Sequence, residues 1–355
     1  MKLPYNLSDN PYDRATKFLG DNELPISYLD SVANFITENT KGATMGQQSQ
    51  PAGADPLGTE SRYRPGESQS KNKYLPHAEY VSLTQAKFEP IQKKILSLNK
   101  SLIESGNKHL ALNPSDESVL ADLIKTLNLG RRPLDVPQPA LDLVLRIILE
   151  WPYSDRLAGL DLFRCVVQSP TVTSYNHPTH GSVVDIVLDS ALQTEGAVNE
   201  NHVMMALRTL TNLFATAAGQ AVAAKNAPRA VEALARIAGV DGNPIGAQNR
   251  NVQIALTSTA FNYAVLNYNN LGNGTVAPEV PLLVCNILAR VLHSQSDAEV
   301  LYRALMAVGM ILATGKNAQK AAKELEVGDV IQSALQKSSE ERVKDVAQEC
   351  LAYLR

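Results

Sequence analysis

The sequence predicts an all-α, armadillo-like solenoid preceded by a short helical fragment and a flexible linker. Three observations carry that prediction. Helical stretches at Leu160–Gln168, Ala206–Phe214, Ala255–Val265 and Leu301–Met310 align so that Arg164, Arg208, Ser258 and Arg303 fall in register, spaced by 44, 50 and 45 residues. Helical repeats of about 40–47 residues are the mark of armadillo and HEAT solenoids, whose stacked units bury one continuous core and leave a long concave face. One turn beyond the first row, the same register holds Gln168, Asn212, Asn262 and Ala307. From about residue 80 onward, apolar residues recur at the 3–4 spacing of a helix face, and aromatic content is only 5%, so strand signals are nearly absent.

The elements follow in chain order. Over residues 1–40, Asp9 or Asn10 with Pro11 opens a first short helix that Gly20 ends; Pro25 starts a second that Gly42 closes, with Tyr28, Leu29, Val32, Phe35 and Ile36 on one face. This pair is too small to be a domain and reads as a fragment. Residues 41–79 read as a linker, rich in Gly, Gln, Ser, Pro and Ala, with a turn signal at Arg62–Gly66. The solenoid is expected over 80–355. Phe88, Ile91, Ile95, Leu98 and Leu102 form one stripe, and Leu141, Val144, Leu145, Ile148 and Leu149 another. Ser296 with Glu299 reads as a capping box ahead of a helix from Val300 to Ala313 that Gly315 ends. Prolines such as Pro133, Pro137, Pro170, Pro228 and Pro278 separate the helices.

Composition narrows the function. With 355 residues, 44% of them hydrophobic, the chain can bury a sizeable core. Cys165, Cys285 and Cys350 lie far apart in apolar helices without a pairing pattern, which fits buried thiols in a reducing compartment, cytoplasmic or nuclear. No apolar run reaches the about 18 residues needed to span a bilayer, so no membrane role is expected. The net charge of −3 is uneven: residues 200–320 hold nine Lys or Arg against six Asp or Glu, while the rest of the chain stands at −6. A local basic field in a slightly acidic protein suits a groove for an acidic peptide, or is simply solvated surface.

The register residues suit an extended peptide. In 203–215, Val203, Leu207, Leu210 and Phe214 form one stripe, and Arg208, Thr211, Asn212 and Ala215 another. An amide side chain can pair with both the N–H and the C=O of a bound backbone without reading its sequence. Arginine adds charge-assisted bonds to carboxylates, about 1.5–3 kcal/mol each when partly desolvated. Two arginines and an amide ladder would hold a short acidic tail at about micromolar strength, roughly −8 kcal/mol. The plainer readings are solvated arginines, an Arg164–Asp161 surface pair, and Asn212 and Asn262 satisfying backbone groups between repeats.

Catalytic constellations are missing. No GxSxG elbow is present. His177 and His180 form an HxxH in a proline-containing loop, without the helical spacing and glutamate of a zinc hydrolase, and read as loop polar residues. His202 reads as a helix-terminal surface residue, and Cys165 as a small buried hydrophobe.

Several motifs together resemble a known family. Glu79-Tyr80-Val81, Ala140-Leu-Asp-Leu, Trp151-Pro152, Leu160-Asp-Leu-Phe-Arg164, Ala206 to Phe214, Phe261-Asn-Tyr-Ala264 and Leu301 to Gly309 resemble the PUL domain of the phospholipase A2-activating-protein-like ubiquitin adaptors. Asn10-Pro11-Tyr12, Asn22-Glu23-Leu24-Pro25 and Phe35-Ile36 resemble the C-terminal part of the PFU domain that precedes it, and Asp55-Pro56-Leu57 with Arg62–Gly66 resembles the joining segment. The resemblance implies an armadillo solenoid of about six repeats. It implies a non-enzymatic adaptor without cofactor or metal that binds the acidic C-terminal tail of the AAA+ segregase valosin-containing protein. By motif the groove arginines match Arg208 and Arg303, and Asn212, Asn262, Tyr263, Arg164 and Tyr302 complete the expected peptide site. Ubiquitin binding belongs to the intact family through a propeller and a complete PFU domain, of which this chain carries the C-terminal part. A monomer is expected, since such a solenoid needs no partner to bury its core. The alternative, nucleic-acid or phosphoinositide binding by the same basic strip, lacks aromatic platforms beside the arginines. A hydrolase lacks a nucleophile.

Overall fold

A computed structural model describes residues 73–192 and 197–355, together with Phe18. The expected helices of residues 1–40, most of the linker and its Arg62–Gly66 turn lie outside the described residues. The chain divides into two units, Met1–Gln69 and Ser70–Arg355, and the second carries the solenoid.

Fifteen α-helices form among the described residues. They are α1 (Phe88–Glu104), α2 (Pro114–Asn128), α3 (Gln138–Leu149), α4 (Leu157–Val166), α5 (Pro170–Thr173), α6 (Val183–Ala191), α7 (Glu200–Leu213) and α8 (Ala217–Lys225). There follow α9 (Ala227–Ala238), α10 (Arg250–Asn269), α11 (Glu279–Ser294), α12 (Ala298–Leu312), α13 (Lys316–Glu324), α14 (Val327–Lys337) and α15 (Glu341–Tyr353). Helices α1, α4, α7, α10, α12 and α15 pack in succession as one row, and α2, α3, α6, α9, α11 and α14 as a second row behind it. Six helices in the first row correspond to six stacked units, as a solenoid requires.

Local chemistry sets the helix ends. Asn113 caps α2 through Ser115 and Asp116, whose carboxylate returns a bond to the Asn113 N–H, and Pro114 sits at the first helical position. Helix α9 stops at Gly239, which adopts φ +70°. The cap of α12 differs from the expected one. Asp297, one residue later than Ser296, accepts the N–H groups of Glu299 and Val300, because a carboxylate is the stronger acceptor and also answers the helix dipole. Gly315 then opens α13.

The core runs along both rows. Ile95, Leu120, Ile147, Trp151, Phe163, Leu207 and Phe214 are almost fully excluded from water, each contributing about 1.5–3 kcal/mol by burial. Trp151 donates its ring N–H to the carbonyl of Leu110 at 3.0 Å. The two expected stripes on α1 and α3 point inward, with Phe88, Leu98 and Leu149 half-buried at their margins. All three cysteines are buried free thiols, and burial pushes Cys165 and Cys285 up to about 11. A two-stranded hairpin, β1 (Asn176–His177) and β2 (Gly181–Ser182), holds the HxxH loop. His177 Nδ1 accepts the N–H groups of Thr179 and His180, so this imidazole shapes a turn. No helix among the described residues is long and apolar enough to cross a membrane.

His202 departs from its expected surface position. It is fully buried in α7, its ring set edge-on to Tyr153 at 4.4 Å, and both ring nitrogens lack a hydrogen-bond partner among the described residues. Burial and the nearby Arg156 push its pKa down, so the fold holds the neutral ring. The position falls in the first turn of a helix buried on nearly every side, which a helix-start signal alone does not disclose.

Candidate peptide-binding groove

The first row of helices presents the register residues to one face, but that face is not empty. Residues 73–87, ahead of α1, cross it without forming helix or strand, with residue 73 at α15 and residues 83–85 at α4. Seven of these residues were expected in the flexible linker 41–79; Lys73–Glu79 instead dock as part of the solenoid unit. The reason lies in their backbone bonds.

Asn262 on α10 accepts the Val81 N–H at 2.9 Å and donates to the Val81 carbonyl at 2.9 Å. Asn212 on α7 repeats the arrangement with Leu83, at 2.6 Å and 3.3 Å. Successive amides thus bond residues i and i+2 of an extended strap, which share one side of the pleat. Each amide also donates backward to the preceding helix of the row: Asn262 to the Thr211 carbonyl at 3.1 Å, and Asn212 to the Arg164 carbonyl at 2.9 Å. The plainer reading from sequence is the one seen, since both asparagines satisfy backbone groups between repeats. The expectation that they pair with a bound peptide is corrected: the backbone they clasp is the protein's own, which fills both amides.

Arg164 belongs to the same clasp. It is only 3% exposed, with Nε on Asp161 at 2.6 Å, Nη1 on the Leu83 carbonyl at 2.6 Å and Nη2 on the Gln85 carbonyl at 3.0 Å. The expected Arg164–Asp161 pair exists, but as a buried bridge rather than a surface contact. At the other end, Glu349 on α15 accepts the N–H groups of Lys73, Tyr74 and Leu75. Leu75 fits against Gly309 on α12, where an added Cβ would stand 2.1 Å from its Cδ1. Asn269 donates to the Ala78 carbonyl, and Tyr80 lies over Phe214 at 5.2 Å.

Arg208 and Arg303 have a different fate. Arg208 is half-buried and makes no hydrogen bond or ion pair with any described residue; burial, then the like charge of Arg164, push its pKa down while Asp161 opposes them. Arg303 is half-buried too, bonding Glu299 at 2.6 Å and the Ser258 hydroxyl at 2.8 Å. It faces a cavity of about 290 Å³ lined also by Tyr302, Phe261 and Met306 from the helices and by Lys73, Tyr74 and His77 from the strap. Glu299 also accepts from Arg342 at 2.7 Å, whose guanidinium sits 4.9 Å over the Tyr302 ring. Burial disfavours the Glu299 anion, but the two arginines outweigh it and hold the carboxyl below its ordinary range.

Tyr263 does not join the groove. It is 1% exposed and points its hydroxyl at the Ala223 carbonyl of α8, 3.5 Å away. One residue along a helix turns a side chain by about 100°, which carries position 263 into the core while Asn262 faces the strap. Gln168 is buried with an Nε2 that has no partner among the described residues, and Ala307 offers no polar group, so the amide ladder is two rungs long. Sequence reasoning missed Lys73, Tyr74, His77 and Glu349. Leu75, Val81 and Leu83, at alternating positions of a run before the first helix, were the available signal for an extended segment.

The PUL domain model matches residues 75–349, from the strap to α15. The chain belongs to the PUL domain family. A PFU model, described as PLAA family ubiquitin binding, matches residues 1–44. Among curated relatives, the chain is 25% identical to the phospholipase A-2-activating protein of Xenopus laevis, over 97% of this chain and 46% of that protein. It is 27% identical to the ubiquitin homeostasis protein lub1 of Schizosaccharomyces pombe, over 96% of this chain and 43% of that protein. The chain thus spans less than half the length of these relatives. Among solved structures, a PUL and PFU domain crystal structure superposes with a TM-score of 0.54 at 19% identity, covering 99% of this chain and 92% of that one. A PFU-PUL domain pair of Saccharomyces cerevisiae Doa1/Ufd3 gives 0.53 at 18%, with the same coverage.

Proposed function

We propose that this chain is a non-enzymatic docking module of a ubiquitin adaptor, and that its PUL groove binds the acidic C-terminal tail of the AAA+ segregase valosin-containing protein. The observation that carries the reading is Arg208. A half-buried guanidinium without a hydrogen bond, beside a second arginine, is a desolvated charge that an incoming carboxylate would relieve. The cavity at Arg303 supplies a second cation on the same face, and the ubiquitin terms in the PFU description and in the name of the fission yeast relative agree with such a pathway. The occupied ladder alters the mode expected from sequence. A bound tail does not pair with Asn212 and Asn262; it lies over the strap and is read by arginines through its carboxylates.

Fluorescence polarisation with a labelled tail peptide tests this. Loss of one charge-assisted bond is worth about 1.5–3 kcal/mol, so Arg208→Ala with Arg303→Ala should weaken binding roughly a hundred-fold or more. Affinity should also fall with added salt. Wild-type affinity in the double variant would remove the mechanism.

A further inference from the structure

The cavity beside Arg303 is not a property of the helices alone. Lys73, Tyr74, His77 and Val81 of the strap form one side of it, and Ser258, Phe261, Glu299, Tyr302, Arg303 and Met306 form the other. On the helix side the charges cancel: Arg303 is bound to Glu299, and Arg342 divides its bonds between Glu299 and Glu340. The cation the strap adds is Lys73; it is 69% exposed, and its ion pair with Asp345, at 3.6 Å, is long and open to water, a weak contact that a ligand's carboxylate can share. The aromatic walls are shared in the same way, with Tyr74 edge-on to Tyr302 at 6.2 Å and His77 tilted against Phe261 at 6.1 Å.

We infer that the strap is part of the receptor: docked residues 73–81 complete the pocket for the acidic tail, so strap docking and tail binding favour each other. This rests on the tail-binding reading above. The strap is held where it meets no ligand, by Glu349 at three backbone N–H groups and by Leu75 in the space that Gly309 leaves. Such anchoring fixes Lys73 and His77 before a ligand arrives, which removes an ordering cost from binding. Coupling of this kind is reciprocal, so a bound tail also holds the strap down. The opposite arrangement, a strap that competes for the groove, would make every loosening of the strap strengthen binding. The sign of that response separates the two.

The test uses the full chain, the labelled tail peptide and two variants outside the arginine pair. Lys73→Glu reverses an exposed charge, sets it against Asp345, and keeps the backbone N–H that Glu349 accepts; Gly309→Ala places a methyl group against Leu75 while favouring the helix itself. Both are expected to weaken tail binding by about three- to ten-fold, the scale of an exposed charge interaction, and hydrogen exchange over residues 73–77 should rise in Gly309→Ala. Unchanged or tighter binding in Lys73→Glu overturns the inference, and that variant decides alone if Gly309→Ala keeps the strap protected. A wild-type chain that does not bind the peptide overturns the tail-binding reading first, and this one with it.

Discussion

Asn212 and Asn262 stand one helical turn from Arg208 and Ser258 in a common register, yet the two rows behave differently. The amide row is fully buried and bound to Leu83 and Val81 of the same chain, whereas Arg208 and Arg303 remain half-buried and bond no part of the strap, Arg303 lining the cavity of about 290 Å³. Amides read a backbone, and the nearest backbone is the one tethered just ahead of the first helix, present at high effective concentration. Arginines read carboxylates, and what the strap sets against Arg164 is the carbonyls of Leu83 and Gln85. Those carbonyls satisfy Arg164, whose side chain is buried between them and Asp161, while Arg208 finds no hydrogen-bond partner among the described residues. The same face thus sorts its residues by partner: Asn212, Asn262 and Arg164 bond the strap, Arg303 pairs with Glu299 and Ser258 on the helices, and Arg208 bonds no described residue.

Breaking the closed row should have the largest effect. Asn262→Leu removes two bonds to Val81 and one to Thr211 and leaves buried backbone groups unpaired, a loss of about 3–5 kcal/mol that would appear as a large fall in the urea midpoint. Arg164→Lys keeps the charge but cannot reach Asp161, Leu83 and Gln85 together, and should cost about 2 kcal/mol in the same assay. Neither replacement removes Arg208. If the tail-binding reading holds, their effect on tail affinity should follow strap docking and not stability in general.

A smaller effect sharpens the comparison by pH. Above its ordinary pKa of about 6.5, His202 is neutral in both the folded and unfolded chain; as pH falls below that value the unfolded chain takes up a proton that the buried ring resists. Stability should therefore be full above about pH 6.5 and decline toward the lowered folded pKa. His202→Phe keeps the ring against Tyr153 and should flatten the melting temperature between pH 7.5 and 5.5. Glu299 acts on the acid side. Its carboxyl is held below the usual range, so the stability it contributes is present above about pH 4.3 and lost as pH falls through the folded value. Glu299→Gln should reduce that acid sensitivity by a small amount, read from melting curves at pH 3–5.

Much of this was legible in the sequence, and the rest was not for definable reasons. The register of Arg164, Arg208, Ser258 and Arg303 marks real neighbouring helices of one row, since Arg303 bonds Ser258 and Asn212 bonds the Arg164 carbonyl. The pairing chemistry of the amides was legible too, because it follows from side-chain type. Their occupant was not. Composition treats Lys73–Glu79 as linker, since a strap held by backbone bonds needs few apolar residues, and its partners lie from 191 to 276 residues away. Tyr263 was misplaced because a motif names adjacent residues together, while a helix sends them to different faces.

The account depends most on the docked strap, and amide hydrogen exchange measures it directly. The Val81 and Leu83 N–H groups, bonded to Asn262 and Asn212, should exchange as slowly as core helix amides in the wild-type chain, and Asn262→Ala should release Val81. Exchange of both groups at the rate of an unstructured peptide in the wild-type chain would contradict it.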